Sequence, residues 1–240
     1  SLIRGSSEFT DKFESSEILC KWSNHEILLA LIKRIYTYFD IKISDVAISK
    51  MHQSQLAIYL SPLFASKFEG TKCWNNTQTY KVIMSLIRRR PRDMVKLCSA
   101  AAKKAYEENQ ETIAGKHMEA ILENYSTQRM QDIIIEFKSE LPNISDLLYN
   151  MGPTTDEIRK KEQDRYLYKT DQLFTKIKNV MERVSLQFKN SNYCDFHDVA
   201  HFLYKIGFIT ATRRLDDNYI ERKYYEDHPK LLSKSFGDGG

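Results

Sequence analysis

The sequence predicts a mainly α-helical chain: a helical bundle, then a second helical unit that closes in a small β-hairpin. Three observations carry this expectation. Glycine and proline are scarce, eight and five in 240 residues, too few for a loop-rich β architecture. Apolar residues recur at three- and four-residue spacing through most of the chain. Strand-like patterns are confined to its two ends. With 42% hydrophobic and 28% charged residues, the composition is that of a folded chain with a real core, sized for one large domain or two small ones.

Taken in order, "SLIRG" at the start reads as a short terminal strand. "SNHEILLALIKRIYTYF" sets Ile27, Leu28, Leu31, Ile32, Ile35 and Tyr36 on one helical face behind an N-cap at Ser23 or Asn24. Residues 44–70 read as shorter helices interrupted near Pro62 and Gly70. "NNTQTYKVIMSLIRR" gives a further helix with Tyr80, Ile83, Met84 and Ile87 together. Pro91 then suits the first turn of the next helix, where its missing N–H is not needed. Met94, Val95, Leu97 and Cys98 follow, and Ala100, Ala101, Ala102 and Ala105 add a small-residue face fit for close packing.

Residues 112–141 read as one or two helices, with Ser126 the place for a break. Pro142 and the pair Gly152-Pro153 are the strongest punctuation, so the chain divides into 25–140 and 141–240. The stretch 154–188 reads as a long charged helix carrying Leu167, Leu173, Phe174, Ile177, Val180, Met181 and Val184. "DFHDVAHFLYKIGFI" passes from helix to strand. "FITATRRLDDNYIERKYY" gives two strands around the turn Asp216-Asp217-Asn218. Helices closed by a hairpin outline a winged-helix domain over 141–240.

Several chemistries are excluded at this level. Cys20, Cys73, Cys98 and Cys194 form no CxxC pair, so neither a zinc ribbon nor a disulfide framework is expected, and a reducing cytoplasm is the expected location. No apolar run approaches the roughly 18 to 20 residues of a membrane span. The opening "SLIRGSSEF" reads as neither a natural initiator nor a targeting segment, which suggests a fragment. A formal charge of +4 permits an acidic partner, DNA among them, without demanding one.

The Gly115-Lys116 pair has Gln110 five positions before it and His117 after it, so it is no P-loop. "DIIIEF" at 132–137 imitates an apolar strand ending in an acid but sits inside a helical pattern. Cys194, His197 and His201 have the spacing C-x2-H-x3-H, and the two histidines share a helix face as zinc ligands would. Asp198 stands where a zincin needs glutamate, and no further ligand lies nearby in sequence, so no metal site is assigned. GxSxG and a glycine-rich dinucleotide loop are both absent. The acid pairs Asp216-Asp217 and Glu107-Glu108 read as turn and surface groups. No catalytic residue is assigned, and an enzyme complete in this sequence is not expected.

What remains is "RRRPRDMVKLC", residues 88–98, with four arginines around one proline at a helix start. The positive end of a helix makes such crowding costly unless an anion offsets it, and Asp93 offsets only part. Forked guanidinium groups suit phosphate oxygens. A solvated turn, a nucleotide phosphate and a nucleic-acid backbone are the three readings.

"LIRG", then "ILCKWSNHEILLALIKRIY", "WNNTQTYKVIMSLIRRRPRDMVKLCSAAAKKA" and "HMEAILENYSTQRMQDIIIEFKSELPNI" together resemble the C-terminal part of bacterial P-loop ATPases of the AAA/STAND type. "HDVAHFLYKIGFI" resembles their final winged-helix module. The resemblance implies that residues 1–24 are the edge of an ATPase core, a remnant strand, with 25–140 the helical lid and 141–240 the winged helix. Arg92, after the proline, takes the position that reaches the γ-phosphate in such lids; Arg89 and Arg90 flank it, and Arg4 is a second phosphate-sensing candidate. No P-loop occurs in the sequence, so ATP with Mg2+ would have to be held by a core elsewhere or by another chain. The implied role is a non-catalytic, ATP-sensing switch, in a family many of whose members are linked to phage defence.

Two other classes compete. A stand-alone winged-helix DNA-binding module, in the manner of replication-initiator ATPases, would use residues 195–205 as reading helix. Its wing would carry Arg213, Arg214, Arg222 and Lys223, diluted by Asp216, Asp217, Glu221, Glu226 and Asp227. A protein-interaction or oligomerisation scaffold would instead use Leu173, Ile177 and Val180 on the long helix.

Overall fold

The computed structural model describes residues 22–70, 74–160, 166–189, 194–214 and 220–232. The expected terminal strand, Arg4 and the turn Asp216–Asn218 lie outside them. Within them the chain is mainly helical, with two small antiparallel sheets of two strands each.

Helix α1 (Asn24–Tyr38) starts with a reciprocal cap. The Ser23 hydroxyl accepts the Glu26 N–H at 3.2 Å, and the Glu26 carboxylate accepts the Ser23 N–H at 2.7 Å. Its buried face is Ile27, Leu28, Leu31, Ile32 and Ile35. Three short pieces follow: α2 (Asp45–Ser49), α3 (Gln53–Leu56) and a 3-10 turn (Ala57–Leu60), which add Ile48, Leu56 and Leu60 to the same core. The hairpin β1 (Lys67–Phe68) and β2 (Thr77–Gln78) then leads into α4 (Thr79–Ile87). The Thr79 hydroxyl donates to the Ala65 carbonyl at 2.6 Å and fixes that corner. Helix α5 (Pro91–Glu107) has proline in its first turn and buries Met94, Leu97, Cys98, Ala101 and Ala105.

Of the one or two helices that the sequence allows here, the structure has one: helix α6 (Gly115–Phe137) is continuous across Ser126. At about 1.5 Å per residue it is some 35 Å long and joins two apolar clusters. Met118 and Tyr125 belong to the first cluster and Ile133 to the second. The first turn of α6 is pinned by close backbone approach. A Cβ at Gly115 would stand 2.5 Å from the Glu69 carbonyl oxygen, a backbone atom that cannot swing away. Gly115→Ala is therefore expected to destabilise by about 1–3 kcal/mol, outweighing the roughly 1 kcal/mol that alanine gains over glycine as a helix former. The denaturant midpoint of the variant against wild type measures this.

The second cluster is built from the end of α6, α7 (Ile144–Asn150), α9 (Thr170–Met181) and α10 (Phe196–Lys205); the short α8 (Thr155–Ile158) buries no residue. The Phe137 and Phe188 rings meet Phe202 edge-on at 6.1 and 5.1 Å. Antiparallel strands β3 (Ala211–Arg214) and β4 (Ile220–Lys223) follow α10, with Ala211 opposite Lys223.

The long helix expected over 154–188 is instead α8 and α9, separated in sequence. The cause is Lys176, buried on α9. Its ammonium donates to the Gly152 carbonyl at 2.9 Å, the Glu157 carboxylate at 2.6 Å and the Tyr168 hydroxyl at 2.9 Å. Three partners from three earlier positions fold α8 back against α9. Ile177 and Val180 are buried in the second cluster, so the face proposed for a scaffold is spent internally. Among the described residues no helix is long and apolar enough to cross a membrane.

Candidate functional site

The arginine segment lies where the two clusters meet. Helix α4 ends at Ile87, and both Arg88 and Arg89 have positive φ, 44° and 58°. Glycine is the usual residue at such a helix end, because a side chain in left-handed backbone costs about 1–2 kcal/mol. Two successive arginines take left-handed backbone there in place of glycine, a strain of the kind that clusters at functional sites. Arg90 returns to extended backbone as the N-cap of α5.

The four arginines go different ways. Arg88 is mostly enclosed, and its Nη2 donates to the Phe208 carbonyl at 3.2 Å. Arg89 pairs with Asp227, and its guanidinium lies 4.6 Å from the Tyr224 ring centre. Arg90 pairs with Glu136 of α6 at 3.2 Å. Arg92 is exposed on α5; it lies within electrostatic range of Asp132, whose carboxyl is held below its usual range chiefly by the Lys96 ammonium 2.6 Å away.

A polar seam between α5 and α6 completes the arrangement. Arg129 Nε stands 2.9 Å from the carboxylate of Asp93, which is almost wholly buried. Burial pushes the Asp93 carboxyl up, while Arg129, Arg90 and Lys96 pull it back. Arg88, Arg90 and Arg129 converge on a narrow cleft, with Tyr204, Gly207 and Glu226 on its other side. Gly207, at φ 69°, ends α10 and turns the chain so that the Phe208 carbonyl meets Arg88.

The electrostatics of Arg88 are unusual. Burial foremost, then the neighbouring guanidinium groups of Arg129, Arg90 and Arg222, push it down to about 10, with the Tyr224 hydroxyl acting the other way. Tyr204, 1% exposed, has a buried hydroxyl without a hydrogen-bond partner among the described residues. Burial foremost, with Glu226 and Asp227, pushes that phenol up to about 12, so it remains a donor at neutral pH. The cleft thus gathers two enclosed guanidinium groups, a half-buried third and a phenol O–H, with the Glu226 carboxylate also on its lining.

Residues 45–134 match the family model of a FunZ-associated C-terminal helical domain. The matched region runs from α2 into α6 and contains the whole arginine segment together with Asp93 and Arg129. It covers a little over a third of the chain and stops before α7. No curated protein and no solved structure matches the chain.

Sequence reasoning placed the site on Arg92, Arg89 and Arg90; the structure brings Arg90 to the cleft, sets Arg89 at its edge and leaves Arg92 outside. It missed Arg88, Arg129 and Tyr204. An Arg-Arg pair where glycine would end a helix was the available signal for Arg88. Nothing local marks the other two, which arrive from α6 and α10.

The nucleic-acid candidates divide differently. Arg213 and Arg214 lie on β3; Arg222, exposed, and Lys223, half-buried, lie on β4. Helix α10, proposed as reading helix, has no exposed residue: all of 194–210 is buried or half-buried. A helix that enters a groove needs an open face, and α10 has given its own to the second cluster. His197 packs against Phe174 and Phe196, whereas His201 Nε2 lies 2.9 Å from the Pro229 carbonyl, so the two histidines are engaged separately.

Proposed function

We propose that this chain is the phosphate-sensing helical lid and relay portion of a nucleotide-switched ATPase, non-catalytic by itself. The observation that carries the reading is Arg88, an enclosed cation crowded by the guanidinium groups of Arg129, Arg90 and Arg222. Enclosed like charges are costly unless an anion arrives to offset them, and forked guanidinium groups suit phosphate oxygens. The site also lies between the two clusters. A phosphate drawing Arg88, Arg90 and Arg129 together acts on α4, α5 and α6 at once, and on α10 through the Phe208 carbonyl. That is the geometry of a hinge closed by its ligand. The matched family model, described as a C-terminal helical domain, is in keeping with the helical part of this reading.

The roles of the arginines differ from those the ATPase resemblance implied. Arg88 and Arg129 do the sensing with Arg90, and Arg92 stands by on the surface. Inorganic pyrophosphate is expected to raise the melting temperature of the chain through preferential binding to the folded state. Each 1 kcal/mol so gained raises the midpoint by about 2–4 °C at this size. The rise should vanish in Arg88→Met, which removes a cation from a cationic neighbourhood, with the variant's own melting curve as the check that it is folded. ATP hydrolysis by the purified chain would overturn the non-catalytic part of the reading.

A further inference from the structure

We infer that the acidic pair Glu226-Asp227 is a built-in plug over the arginine cleft, which an incoming phosphate must displace. The inference rests on the phosphate reading above and adds its regulation. Asp227 occupies Arg89, whose guanidinium is also stacked on Tyr224. Glu226 lines the same cleft as Arg88, Arg90 and Arg129. The backbone holds both acids in position through a tight turn, in which the Asp227 and His228 N–H groups donate to the Tyr224 carbonyl at 3.2 and 3.1 Å. Tyr225 packs between Tyr204 and His201, and His201 is joined to Pro229. The segment 224–229 is therefore tied along one side of the cleft as a strap, with Tyr224, Tyr225 and Glu226 on the cleft lining.

Space and charge both favour exchange. As the cleft stands it has room for about one water molecule, so a phosphate cannot enter beside the strap. The Asp227 side chain is 42% exposed, so its hold on Arg89 is screened and readily given up, and Glu226 beside it is exposed. A phosphate offers the same guanidinium groups more oxygens and more charge than a carboxylate does. Because the strap begins directly after β4, its release also frees the hairpin, a way for occupancy of the cleft to be read at the far end of the chain.

Calorimetric titration of inorganic pyrophosphate at low salt tests this on the whole chain. Wild type, Asp227→Asn, the double variant Glu226→Gln/Asp227→Asn and the control Asp156→Asn/Asp171→Asn are compared. The control makes the same charge change as the double variant but lies on α8 and α9. The plug predicts affinity at least about fivefold tighter in the double variant, a smaller gain in the single variant and none in the control. Unchanged or weaker affinity in both cleft variants, or an equal gain in the control, overturns the plug and leaves the phosphate reading standing. If none of the four binds pyrophosphate at millimolar concentration, the phosphate reading falls and takes the plug with it. The isosteric changes sit at exposed positions, and melting curves confirm that each variant is folded.

Discussion

Lys176→Met is expected to destabilise the chain by about 3 kcal/mol, since removing one partner of a buried pair strands the other. The Lys176 and Glu157 side chains are only 9% and 12% exposed. Methionine fills much of the volume but leaves the Glu157 carboxylate, the Tyr168 hydroxyl and the Gly152 carbonyl without their shared donor. The pair also sets an acid limit. Burial alone would raise the Glu157 carboxyl, but the Lys176 ammonium, the Thr154 backbone and the Tyr168 hydroxyl hold it down to about 2. Its folded value lies below the unfolded one, so its stabilising contribution is present above about pH 4.3 and is lost as pH falls toward 2. Chemical denaturation from pH 6 to pH 3 should show that loss in wild type and a flatter profile in Lys176→Met. Equal stability of the two proteins at pH 7 would contradict this account of α8 and α9.

Asp93→Ala carries the other large effect, again about 3 kcal/mol or more. Asp93 is the buried carboxylate of the seam, and without it Arg129 faces Arg88 and Arg90 with the more exposed Glu136 left to offset them. The loss has a signature that a simple cavity would lack. Pyrophosphate, placed among the same guanidinium groups, should restore part of the stability and so raise the variant's melting temperature more than that of wild type. Arg88→Met introduced alongside Asp93→Ala should likewise recover part of it, because it removes one of the repelling charges. An Asp93→Ala protein that melts like wild type would mean that the seam is not charge-limited.

Much of the first cluster was legible in the sequence because its signals are local. The Ser23–Glu26 cap, the apolar face of α1 and Pro91 at the head of α5 each act within a turn or two of chain. Helix α10 was legible for the same reason: Asp195 caps it by accepting the His197 and Asp198 N–H groups. What escaped depends on distant partners. A helical pattern over 154–188 says nothing of an ammonium that gathers Gly152, Glu157 and Tyr168. Ser126 is a weak breaker, and burial of Met118, Tyr125 and Ile133 on two cores keeps α6 whole. The arginine site was half legible. Its charge was plain in "RRRPRD", but the enclosure of Arg88 and the exposure of Arg92 follow from the left-handed turn and from groups on α6 and α10.

The most direct test sets those two arginines against each other. Pyrophosphate is titrated calorimetrically into wild type, Arg88→Met and Arg92→Met at low salt. The phosphate-sensing account predicts binding to wild type, an affinity within about twofold in Arg92→Met, and a loss of at least about tenfold in Arg88→Met, or 1.4 kcal/mol. Binding that survives in Arg88→Met and fails in Arg92→Met would contradict it, and so would the absence of binding to wild type.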